Sequence, residues 1–147
     1  MAQQVDAERQ FQNTIVDTLG LFGYEGVHVF PLMDRYGTWR TPTTSPGWPD
    51  LVFLRDPRIL AIEVKKDGVT VPPHQRAWLT LFGSIPCARA WVARPSDPPF
   101  DDLVAWIKRP ADAPHRYGFE PVEDPVAVLA QHRRKKKARS ARPRRRT

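Results

Sequence analysis

Apolar residues Phe11, Ile15, Leu19 and Phe22 recur at spacings of four, four and three, which predicts one stripe of an amphipathic helix over residues 5–22. Gly20 and Gly23 fit its fraying end. Residues 26–30 read as a short first strand, and residues 33–48, rich in Pro, Thr and Gly without periodicity, read as an irregular connection. Two apolar runs follow, residues 47–54 and 59–65, separated by Arg55-Asp56-Pro57-Arg58. They predict a hairpin whose turn holds Pro57 at its second position. Pro72-Pro73 opens a helix over residues 74–82 with Gly83 as its stop, and residues 88–93 give a fourth strand. Asp97-Pro98 then resembles a cap and first-turn proline for a helix carrying Phe100, Leu103, Val104 and Ile107. The order helix, strand, hairpin, helix, strand, helix predicts an α/β fold with a small mixed sheet flanked by helices.

Polar residues interrupt this pattern at a few positions. Side chains alternate along a strand, so Glu63 and Lys65 share one face while Ile62 and Val64 fill the other. Asp50 stands at the mouth of the preceding strand. Gln75 lies three, four and seven residues from Trp78, Leu79 and Phe82, and therefore on their stripe. Glu8 falls in the stripe of the first helix, three residues before Phe11. A bland reading exists for each. Glu8 suits the first turn of a frayed helix, and Asp50, Glu63 and Lys65 suit a cross-strand salt bridge on a solvated sheet face. Convergence of all five requires both helices to pack on the face that carries Glu63 and Lys65.

Charge divides the chain. Ten of its 23 Lys and Arg residues lie from Arg133 onward with no acid among them, leaving 13 against all 16 Asp and Glu in residues 1–132. The expected organisation is a domain over residues 1–109, a linker or peripheral segment over 110–132 with a short helix at 126–131, and a disordered basic tail over 133–147. Such a tail, with Arg133, Arg134, Lys135, Lys136 and Lys137 at its start, suits a polyanion. Arg35 and Arg40, with Trp39, lie in the long connection and suit phosphates or bases, or equally solubility. No apolar run is long enough for a membrane span, no secretory signal is visible, and the single Cys87 fits a reducing compartment. A cytoplasmic protein is expected.

Carboxylates crowded together repel and hold their protons more tightly unless a cation intervenes. Oxygen donors without Cys or a nearby His pair favour Mg²⁺ or Mn²⁺ over zinc. A metal of this kind activates water and neutralises charge developing on a phosphate, with Lys65 placed to assist.

Pro49-Asp50, twelve intervening residues and Glu63-Val64-Lys65 form a pattern that resembles the PD-(D/E)XK nuclease superfamily. With Gly47-Trp48 before it, Lys66 after it, Pro73-His74-Gln75-Arg76-Ala77-Trp78-Leu79 and Trp91-Val92-Ala93-Arg94-Pro95, residues 7–107 resemble a stand-alone VRR-NUC domain of phage or bacterial type. The resemblance implies a restriction-endonuclease-like core. It implies that Asp50, Glu63, the Val64 carbonyl and Glu8 hold the metal, that Lys65 is the catalytic lysine, and that Gln75 supports the site. It further implies a homodimer cutting branched or Holliday-junction DNA in a bacterial cell or phage-infected host. Trp106 suits such a dimer interface or an ordinary core. The alternative is a non-enzymatic DNA-binding protein that acts through its basic tail beside a vestigial nuclease site.

Overall fold

A computed structural model describes residues 2–29, 32–40, 45–96 and 101–141. In chain order it contains α1 (Ala2–Leu21), β1 (Glu25–His28), β2 (Leu32–Met33), β3 (Trp39–Arg40), β4 (Leu51–Arg55), β5 (Arg58–Val64), α2 (Pro73–Gly83), β6 (Ala88–Ala93), α3 (Asp101–Lys108), β7 (Arg116–Tyr117) and α4 (Pro125–Ser140). Five strands form one mixed sheet in the order β1-β4-β5-β6-β7. The first three pair antiparallel, and β6 and β7 join parallel to β5. The chain is thus α/β with a small mixed sheet flanked by helices. Among the described residues, no helix is long and apolar enough to cross a membrane.

Period-two alternation sorts the sheet into two faces. Leu51, Phe53, Leu60, Ile62, Val64, Trp91 and Ala93 pack with Ile15 and Leu19 of α1 and Ile107 of α3. On the other face Ala90 and Val92 pack with Leu79 of α2 and with Val71. Ala61 and Glu63 pair with Ala90 and Val92, so Glu63 lies on the α2 face. This corrects the expectation that α1 and α2 share a face. Their apolar stripes are each matched to opposite sides of the same strands, because both sides of β5 and β6 are apolar enough to need cover.

The hairpin forms with the expected strands, from Leu51 opposite Ile62 to Arg55 opposite Arg58. Pro57 stands at the third position of its turn rather than the second, behind a cis Asp56–Pro57 peptide. The connection after the first strand also carries more order than its composition suggests. Strands β2 and β3 pair antiparallel, and Asp34 Oδ1 closes their turn by accepting the N–H groups of Tyr36 and Thr38. The first strand ends at His28; Phe30, Asp97, Pro98 and Phe100 lie outside the described residues.

Beyond Arg109 the chain does not leave the fold. A 3₁₀ turn at Pro110–Asp112 leads to Ala113, whose carbonyl accepts from Arg89 Nε at 3.1 Å. The Pro114 carbonyl accepts from Trp91 Nε1 at 3.2 Å, and the His115 carbonyl accepts from the Ala90 N–H at 2.8 Å. These bonds seat β7 as a fifth strand, which the two residues Arg116 and Tyr117 after a proline-rich stretch do not reveal. Trp106 packs with Trp91 and Tyr117, at ring-centroid distances of 5.7 and 4.5 Å, and belongs to the core.

Helix α4 packs along α2 and buries Leu129. It starts at an Asp124 cap, whose side chain accepts the Ala127 N–H at 3.0 Å, with Pro125 in its first turn. The segment expected to be disordered from Arg133 onward therefore continues as helix to Ser140; residues 142–147 lie outside the described residues. Lys and Arg are good helix formers, and a packed first half removes the nucleation penalty that an isolated basic peptide faces. Lys137 and Arg139 also sit in the last turn, where positive charge complements the helix dipole.

Candidate active site

The turn that delivers Asp50 is pinned against α2. Gly47 has φ +90°, and a Cβ there would stand 2.7 Å from His74 Cδ2 and 2.8 Å from the His74 carbonyl oxygen. Only glycine meets both conditions. Trp48 then sets its ring edge-on against Trp78 and Phe82, with centroids 5.0 and 5.3 Å apart. Pro49 is fully buried. These three residues fix Asp50 directly before β4, where continuation of the Leu51–Ile62 register puts it opposite Glu63.

The two acids are bound into each other's strands. Asp50 Oδ2 accepts the Val64 N–H at 2.8 Å, and Glu63 Oε2 accepts the Asp50 N–H at 3.2 Å. Lys65 Nζ lies 3.1 Å from Glu63 Oε1. Glu63 is only 2% exposed, so this is no solvated surface salt bridge. Burial pushes the Asp50 carboxyl up to about 6 against the pull of the Val64 N–H and Lys65, and the charge of Glu8 adds to the rise. Burial, then the charge of Asp50, raises Glu63 to about 8 despite Lys65. At neutral pH the pair keeps a proton because two buried anions facing one ammonium are undercompensated.

Among the described residues, the buried Oε1 of Gln75 has no hydrogen-bond partner, and neither does the buried Nε1 of Trp78 one turn later. The inward turn of Gln75 expected from its stripe is therefore present, and it leaves an acceptor unsatisfied. Leaving a buried acceptor unpaired costs about 1–3 kcal/mol.

Glu8 reaches this region from the opposite side of the sheet. It projects from the N-terminal part of α1, with Oε2 3.7 Å from Lys66 Nζ, and lines a cavity of about 320 Å³ with Phe11, Lys65, Lys66, Asp67 and Pro95. Among the described residues, no group of three or more His, Cys, Asp and Glu side chains is placed to hold a metal ion. Glu8 thus does not complete a three-carboxylate set with Asp50 and Glu63.

The remaining donors still fit a hard cation. Asp50 and Glu63 face each other across adjacent strands, all their donors are oxygen, and Gln75 Oε1 is an idle acceptor. Mg²⁺ is usually bound by one or two carboxylates and retains waters, so a third protein carboxylate is not required. Val64 follows Glu63 on β5, and its carbonyl is the remaining candidate donor.

Other candidates lie apart from this cluster. Arg35 is exposed in the β2–β3 turn with its guanidinium 4.9 Å from the Tyr36 ring centroid, and the Arg40 side chain lies outside what the structure describes. Arg133, Arg134, Lys135, Lys136 and Lys137 are exposed on α4. The sequence assigns no role to His74 or His132, yet their rings stack with centroids 4.1 Å apart and planes at 15°. Burial, His132 and Lys65 all lower the proton affinity of His74. Comparison with protein-family models, with curated proteins and with solved structures finds no match.

Proposed function

We propose that the chain is a metal-dependent DNA endonuclease that hydrolyses phosphodiester bonds, acting on branched or Holliday-junction DNA, with Mg²⁺ or Mn²⁺ as cofactor. The observation that carries this reading is the buried pairing of Asp50 and Glu63 beside Lys65. A buried carboxylate pair that retains a proton at neutral pH is poor construction for a core, and it is well suited to a cation that replaces the proton.

In this reading Asp50, Glu63 and the Val64 carbonyl hold the metal, and Glu8 supplies negative charge from α1 at the rim. The metal, when bound, neutralises charge on the scissile phosphate and lowers the pKa of water. The chain's own contribution is positional. The Val64 and Asp50 N–H groups fix one oxygen of each carboxylate. With the retained proton released to solvent, both carboxylates would be available to hold the cation, and the Lys65 ammonium would stabilise negative charge developing on the phosphate. Gln75 orients donors from α2. A restriction-endonuclease-like core of VRR-NUC type and a two-fold dimer belong to the same proposal, because paired cuts across a junction need two sites in fixed relation.

The second reading is a DNA-binding protein with a vestigial site. What favours it is that Lys65 and two backbone N–H groups already engage both carboxylates. A cleavage panel of junction, flap, nicked and linear DNA with Mg²⁺ or Mn²⁺, run beside Lys65→Ala, separates the two. The nuclease reading expects metal-dependent cutting by the wild type and a loss of about 10²–10⁴-fold in the variant. No cutting of any substrate, or equal cutting by the variant, overturns it.

A further inference from the structure

The basic segment is not a detached tail. Six of the eight residues from Arg133 to Ser140 are Lys or Arg, all exposed, and they continue a helix whose first half is packed on α2. Two contacts fix where that charge begins. Leu129 is buried, and His132, the residue immediately before the basic run, stacks on His74. His74 in turn belongs to the first turn of α2, against which Gly47 is pressed three residues before Asp50. A short physical chain therefore runs from the carboxylate turn through His74 to the root of the basic helix.

We propose that the exposed half of α4 is a duplex-binding surface, held in a fixed position beside the Asp50–Glu63 site by Leu129 and the His74–His132 stack. It rests on the nuclease reading for its choice of DNA as the polyanion.

Charge density supports the assignment. Eight helical residues rise about 12 Å, and the same length of duplex carries about seven phosphate charges. Five consecutive basic residues, stepped by about 100° each, surround the helix with charge. Ala138 is the only apolar residue among residues 133–140, so this half has no apolar stripe with which to enter a lipid interface. The body of the protein has no comparable field, since residues 1–132 carry more acid than base. A fixed cationic helix next to the site supplies the positive field that the rest of the chain, with its excess of acid over base, does not. The fixed position matters energetically because a free tail must lose chain entropy on binding, whereas a docked helix has already lost it.

The test is binding of a short fluorescent duplex, followed by anisotropy across a KCl titration in EDTA so that no cutting occurs. Replacement of four charges, Arg133→Gln with Arg134→Gln, Lys136→Gln and Lys137→Gln, is expected to lower the log–log salt slope by about 0.9 for each phosphate that is no longer neutralised and to weaken binding at least tenfold. A Gly-Gly-Gly insertion between His132 and Arg133 keeps every charge but severs the helix. It is expected to weaken binding about tenfold while leaving the slope unchanged. Circular dichroism and thermal melting establish that both variants fold. No duplex binding by the wild type, or wild-type affinity in the charge variant, overturns the proposal. Wild-type affinity in the insertion variant overturns it in favour of a free tail. Vesicles containing phosphatidylserine, bound as tightly as the duplex at equal salt, overturn it in favour of a membrane surface. Failure of the wild type to cut DNA with Mg²⁺ would remove the nuclease reading and leave these metal-free binding results unaffected.

Discussion

The Asp50 N–H donates to Glu63 Oε2 at 3.2 Å while the Asp50 carboxylate accepts the N–H of Val64, the residue after Glu63, at 2.8 Å. Each acid is held by the strand that carries the other, so neither can swing away to relieve the repulsion between them. Glu63→Gln removes one of the two negative charges and keeps the shape. In EDTA near pH 8 it is expected to stabilise the folded chain by about 1–3 kcal/mol, read by urea denaturation. A destabilised variant would mean that the ionised Glu63–Lys65 pair contributes to the fold.

Both carboxyls bind protons more tightly in the folded chain than in the unfolded one, where Asp and Glu titrate near 4. Their contribution to stability is full below about pH 4 and is lost as pH rises through about 6 for Asp50 and about 8 for Glu63. The melting temperature in EDTA is therefore expected to fall from about pH 4.5 to about pH 8, most steeply below about pH 6 where both carboxyls contribute, and to fall less in Glu63→Gln. Added Mg²⁺ should raise it more at the alkaline end, where it competes with fewer protons. A Mg²⁺ effect that is equal at both ends, or larger at the acidic end, contradicts this linkage.

Gln75 offers a buried acceptor that none of the described residues uses. Gln75→Leu should leave metal-free stability unchanged or raise it by about 1 kcal/mol, while reducing the melting-temperature gain from Mg²⁺. A drop of several degrees without metal, with the Mg²⁺ gain intact, would assign Gln75 to packing alone.

Gly47 carries the turn that presents Asp50. Gly47→Ala places a side chain in the left-handed region and against the His74 backbone. The expected loss is at least about 1–3 kcal/mol, with a larger proportional loss of Mg²⁺-dependent stabilisation as Asp50 shifts away from Glu63. Unchanged urea midpoints would show that the turn relaxes freely.

Much of this architecture was legible because β4, β5, α1 and α2 have strong periodicity: Phe11, Ile15 and Leu19 at helical spacing, and Ile62 and Val64 alternating with Glu63. The inward turn of Gln75 and the half-buried position of Glu8 follow from the same spacing. What periodicity does not encode is which side of the sheet each helix takes. Both faces of β5 and β6 are apolar, so the stripe of α1 fits either, and it takes the face opposite the one that convergence of all five polar residues requires. Segment 110–117 was hidden because its attachment is made by side-chain and backbone hydrogen bonds from Arg89, Trp91 and Ala90 rather than by an apolar run. Helix α4 was misjudged at its basic half because composition describes an isolated peptide, whereas docking of Leu129 and His132 supplies the start from which the helix propagates.

Single-turnover cleavage of an end-labelled four-way junction with Mg²⁺, comparing the wild type with Glu63→Gln, bears most directly on the central claim. The variant retains the shape of the site and is expected to be at least as stable, so lost activity cannot be attributed to unfolding. The account predicts metal-dependent cutting by the wild type and at least about a 10²-fold slower rate in the variant. Equal rates, or an uncut junction with the wild type at every Mg²⁺ concentration, would contradict it.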